Sequence, residues 1–120
     1  MKKIFIFLFL FFAFIVYSFL VYTTGTKSSL VSMNKEAITG KVLYQKYNCT
    51  ACHQIYGLGG FLGPDLTTVV SQQGKGEAYI KAFLQSGTQR MPDFHLSKYD
   101  INSLSEYLKY IDSTAVMYKN

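Results

Sequence analysis

The chain has few of the residues that usually staple a small domain together. Of its 120 residues two are cysteine, two are proline and none is tryptophan. Cys49 and Cys52 stand three positions apart, so a disulfide between them would close a very small loop and restrain little of the unfolded chain. No stretch carries a strand signal to match its helical ones, which points away from sheet-based folds. It also removes the strand–helix–strand setting that a thioredoxin-like dithiol requires. Acidic residues are scarce, seven against twelve basic ones, for a net charge of +5. Between residues 4 and 22 charge is missing altogether.

That uncharged run reads IFIFLFLFFAFIVYSFLVY and is preceded by Lys2 and Lys3. A helix of about 20 apolar residues spans the hydrocarbon core of a bilayer. The other common use of an apolar N-terminus is a cleaved signal peptide, with an apolar core of about 7–15 residues and a small-x-small cleavage site. Here the run is longer, crowded with phenylalanine, and followed by no such site. The expectation is an uncleaved single-span anchor over 1–23. The lysine pair keeps the N-terminus cytoplasmic, which puts the remainder on the periplasmic, extracytoplasmic side, where oxidised thiols are tolerated. That remainder holds ten basic and seven acidic residues, net +3. So weak and scattered an excess points to a solubilised face and not to nucleic acid.

Residues 24–33 are polar and read as a tether, and 34–120 as one small domain. Asn34 offers an N-cap for a helix reaching to about residue 48, with Val42, Leu43 and Tyr44 as its apolar patch. Gly40 inside that helix costs about 1 kcal/mol relative to alanine, and the usual reason for such a glycine is the close approach of another helix. A second helix is expected over 76–86, with Tyr79, Ile80, Phe83 and Leu84 on one face and Gly87 as its C-cap. Gly74 to Gly76 reads as a turn. In the last helix Ser97 and Asp100 form a capping-box-like pair, and Ile101, Leu104, Leu108 and Ile111 follow a helical stripe that Tyr107 widens. The fold class is therefore all-α, with short helices joined by loops long enough to require something else in the core.

The stretch CTACHQIYGLGGFLGPD carries the chemistry. Zinc would have four formal ligands in Cys49, Cys52, His53 and His95, but adjacent Cys52 and His53 do not form the spaced pairs that zinc sites use. Cys-x-x-Cys-His is the attachment pattern of haem c. Two thiols add to the two vinyl groups, and His53 follows in position to ligate the iron. The glycines at 57, 59, 60 and 63 suggest backbone lying close against something bulky. Met91, in RMPDF, is the candidate sixth ligand, since a methionine before proline in a polar loop is unlike core filler. Thioether ligation raises the reduction potential. His95 is the rival, as a ligand or a surface residue, and Met117 takes neither role.

These residues resemble a class I cytochrome c over about 40–112. In that family a glycine of the first helix meets an aromatic of the last, which Gly40 and Tyr107 match. A Pro-x-Leu after the haem motif is matched by Pro64 and Leu66, and the resemblance implies that the Pro64 carbonyl orients the proximal His53. The likeness is greatest to the small, membrane-anchored cytochrome component of bacterial nitric oxide reductases. It rests on the N-terminal anchor, on Cys-x-x-Cys-His followed by Gly-x-Gly and Pro-x-Leu, and on RMPDFHLSKYDINSLSEYLKYID. The Trp-Pro tail frequent in that family is missing here.

The resemblance implies a monohaem electron-transfer subunit that performs no bond chemistry itself. One covalently attached haem c would be held by Cys49 and Cys52, ligated by His53 and Met91, and oriented through Pro64. Its partners would be a soluble electron donor protein and an integral-membrane, haem-containing catalytic subunit. Other readings are an anchored cytochrome serving a terminal oxidase or another reductase, a haem-based gas sensor or weak peroxidase with an open sixth position, and a purely structural membrane protein.

Overall fold

A computed structural model describes residues 1–25 and 32–115. The chain divides into two compact units, Met1–Leu30 and Val31–Asn120. The first is built on helix α1, Lys2–Gly25, of 24 residues. At 1.5 Å per residue it extends about 36 Å, more than the roughly 30 Å of a bilayer's hydrocarbon core. None of its residues is buried, so its phenylalanines, leucines and isoleucines face outward on every side. A helix apolar all round is what lipid, and not water, accommodates. Most of the expected tether, 26–31, lies outside the described residues, and so does Met117.

The second unit begins with α2, Lys35–Lys46. Asn34 caps it, its side-chain oxygen accepting from the Ala37 N–H at 2.7 Å. The buried residues of α2 are Ala37, Gly40, Leu43 and Tyr44, which corrects the expected patch, since Val42 is 57% exposed. The reason is Gly40. A Cβ there would lie 1.9 Å from the Ser103 carbonyl oxygen and 2.8 Å from the Tyr107 Cβ, so the helix turns its smallest residue to its neighbour. Val42 then points about 200° around the axis, outward.

The neighbour is α4, Lys98–Thr114, opened by a full capping box: the Ser97 hydroxyl accepts from the Asp100 N–H, and the Asp100 carboxylate accepts from the Ser97 N–H. Ile101, Leu104, Tyr107, Leu108 and Ile111 are all buried, as the stripe predicts. Where α2 and α4 cross, the Tyr44 and Tyr107 rings pack with centroids 5.5 Å apart. Between them in sequence, β1 (Gln54–Ile55) pairs antiparallel with β2 (Leu58–Gly59). This ribbon is absent from the all-helical expectation. It closes through Tyr56 and Gly57, both with positive φ (55° and 75°), as a two-residue hairpin turn requires.

Helix α3, Glu77–Ser86, ends at Gly87, whose φ of 60° suits a helix stop. It buries Ile80, with Tyr79 and Leu84 packed partly against the same core; Phe83 lies nearer the surface, its ring 4.5 Å from that of Tyr79. Lys109 on α4 bonds Glu77 on α3 at 2.6 Å and Glu106 at 2.8 Å. The second unit is thus a small helical domain whose first and last helices cross, with two long loops left to build a site.

Candidate functional site

The first loop starts where α2 stops. Asn48 takes a left-handed conformation, φ 51°, and turns the chain into a single 3-10 turn, Cys49–Ala51. Both the Cys52 and the His53 N–H groups donate to the Cys49 carbonyl, at 3.2 and 2.9 Å, which winds the two cysteines and the histidine into one tight coil. The thiols are free and half-buried. Burial pushes the Cys49 thiol up to about 11, and the nearby Cys52 adds to the effect. A thiol whose thiolate is disfavoured by burial is a poor redox nucleophile.

His53 is held from the far side of its own loop. Its Nδ1 lies 2.9 Å from the Pro64 carbonyl oxygen. A carbonyl only accepts, so Nδ1 carries the proton, and in the neutral ring Nε2 keeps its lone pair. Gly63 explains how the chain comes so near. A Cβ at 63 would stand 2.4 Å from His53 Cε1, so any side chain would strike the imidazole. The Gly63 N–H donates to the Cys52 carbonyl at 2.7 Å, and the Gly60 N–H to that of Thr50 at 2.8 Å. The glycines lay this loop flat along the Cys-x-x-Cys-His coil.

Met91 belongs to the second loop, between α3 and α4. The Thr88 N–H donates to the Met91 carbonyl at 2.7 Å, and the Thr88 hydroxyl accepts from the Met91 N–H at 3.1 Å. The loop is tied to the first by Phe94, whose ring packs 5.1 Å from that of Tyr47, two residues before Cys49. His95 is different: its side chain is 88% exposed and its Nδ1 meets Asp93 at 3.3 Å. So Cys49, Cys52, His53 and Pro64 come together in one loop, Met91 stands on a neighbouring one, and His95 is at the surface.

Three residues not singled out in the sequence join the first loop. Thr67, 1% exposed, accepts the Tyr56 N–H on its hydroxyl at 2.7 Å. Its own N–H and hydroxyl both donate to Asp65. The signal was present in GPDLT, where Asp-x-Thr is the spacing of an Asx turn.

A covalently held macrocycle requires two free thiols, a nitrogen lone pair for iron and apolar surface to pack on. The thiols and the Nε2 lone pair are in place. Leu58, Phe61 and Leu62, in the same loop, are 75%, 89% and 79% exposed, an apolar patch of the kind that marks a binding surface. The Tyr44 hydroxyl is buried with no hydrogen-bond partner among the described residues, and its acidity is weakened by burial first and by Cys49 next. The residues fit haem c.

Residues 35–108 match the family described as cytochrome C oxidase, cbb3-type, subunit III. The chain belongs to this cytochrome c family. Its haem iron is therefore a property of the family and not of the motif alone. The cytochrome is also similar to the C subunit of the nitric oxide reductase of Stutzerimonas stutzeri, 29% identical over 84% of this chain and 82% of that protein. A second relative, the corresponding nitric oxide reductase component of Halomonas halodenitrificans, is 24% identical over 89% of this chain and 79% of that protein.

Proposed function

We propose that this cytochrome is the membrane-anchored electron-transfer subunit of a nitric oxide reductase, carrying one haem c bound covalently through Cys49 and Cys52. The observation that carries the reading is the likeness to these two nitric oxide reductase proteins, which covers most of both chains. Bound haem supplies a one-electron iron couple. Everything else falls to the chain. His53 would ligate the iron through Nε2, and the Pro64 carbonyl, on Nδ1, fixes the ring and raises its basicity. Met91 would supply a thioether ligand, which would keep the potential high. Helix α1 holds the domain on the periplasmic face, raising its effective concentration beside an integral-membrane catalytic subunit. A soluble protein delivers the electrons.

Extraction in mild detergent tests this. The cytochrome is expected to copurify with a multi-helix, haem-bearing membrane subunit, and to keep its haem after denaturation. If no such subunit accompanies it, the reductase assignment fails. The family description names an oxidase subunit, so an anchored cytochrome serving a terminal oxidase is the second reading, and the copurified partner decides between them.

A further inference from the structure

The Pro64 carbonyl can orient His53 only if it is itself held still, and Pro64 is exposed. Its own ring offers no N–H to pin it. The segment after it is pinned instead. Leu66 donates its N–H to the Gln54 carbonyl at 2.9 Å, and the Tyr56 N–H donates to the Thr67 hydroxyl at 2.7 Å. Together with the His53–Pro64 contact these bonds form three successive rungs, 53 to 64, 54 to 66 and 56 to 67. Thr67 makes the last rung and is the buried one. Its hydroxyl also donates to Asp65, and its N–H bonds the same carboxylate oxygen at 2.7 Å, closing a turn on the residue next to Pro64. The opposite strand is anchored too: the Tyr56 hydroxyl donates to the Ile111 carbonyl at 3.3 Å and lies against the Thr114 hydroxyl, at the end of α4.

We propose that Thr67 is the positioning residue for the His53 imidazole, its hydroxyl joining the Tyr56 backbone to Asp65 so that the Pro64 carbonyl stays on Nδ1. The inference rests on the reading of His53 as the iron ligand. An imidazole whose Nδ1–H is firmly bound is the more basic ligand and favours ferric iron. Loosening Thr67 therefore raises the reduction potential and alters ring orientation.

The test compares Thr67→Val with Thr67→Ser in the full-length, haem-loaded protein in detergent. Val keeps the shape and loses the hydroxyl; Ser keeps the hydroxyl. The expected result for Thr67→Val is an upward shift in potential with a changed g-value anisotropy in the ferric electron paramagnetic resonance spectrum, and for Thr67→Ser a return to wild type. Ser103→Ala, which removes a buried hydroxyl with no partner among the described residues, leaves both readouts alone. A fall in the denaturation midpoint of Thr67→Val with an unmoved potential and g-values would mean a merely structural threonine and overturn the proposal. If Thr67→Val takes up no haem, Asp65→Asn serves instead. It weakens the acceptor while leaving the turn, and must shift the potential the same way by less; no shift overturns the proposal. A wild-type protein without covalent haem, by contrast, defeats the underlying ligand reading.

Discussion

Met91 and His95 are four residues apart, and either type can ligate iron. What separates them is local. The Met91 backbone is fixed by Thr88 on both its N–H and its carbonyl, whereas the His95 imidazole is turned to solvent beside Asp93. Met91→Ala is expected to lower the reduction potential, abolish the thioether–iron charge-transfer band and let ferrous protein bind carbon monoxide rapidly. An unchanged spectrum would remove Met91 as the ligand. At this scale the sequence is most legible where chemistry dictates residue type and spacing together, as at Cys49, Cys52 and His53. Pro64 is visible only through family likeness. Thr67 is half legible: GPDLT shows its turn on Asp65, but its bond to Tyr56 exists only once residues 54–56 and 64–67 lie side by side, a long-range fact that no local pattern encodes.

Helices tell the same story through their ends and faces. The caps at Asn34 and Ser97 are readable because capping is satisfied within three residues. The buried face of α2 is not, because it is chosen by the partner helix. Gly40 outweighs the more apolar Val42, since close approach at the crossing brings Tyr44 and Tyr107 together. Gly40→Ala is therefore expected to destabilise the haem-loaded domain by about 1–3 kcal/mol, the usual cost of overpacking, because the obstacle is Ser103 backbone and not a flexible side chain. Urea denaturation measures it. A midpoint equal to wild type would show that the crossing has slack.

Across the domain as a whole, one charged network links three helices. Lys109 joins Glu77 and Glu106, and Asn34, the cap of α2, donates to Glu106 at 3.3 Å. Bonding to Lys109 holds both carboxyls below the ordinary 4.5. The same contacts, that to Glu106 first, raise the Lys109 ammonium above 10.5. Carboxylates with lowered values stabilise the fold above about pH 4.5, and that contribution fades as pH falls through their folded-state values. The lysine's share is present below about pH 10.5 and fades as pH rises beyond it. These side chains are only partly buried, so the effect is small and weakened by salt. Urea midpoints at low ionic strength are expected to fall on acidification below pH 4.5, less steeply in Glu77→Gln; identical profiles would exclude the network. The Gly40–Ser103 crossing also has a kinetic side. It joins positions about 60 residues apart in sequence, and contacts so distant form late and slowly. The domain cannot close until its last helix has been delivered. Until then Cys49 and Cys52, half-buried once the domain has formed, stand in chain that no helix crossing has yet packed.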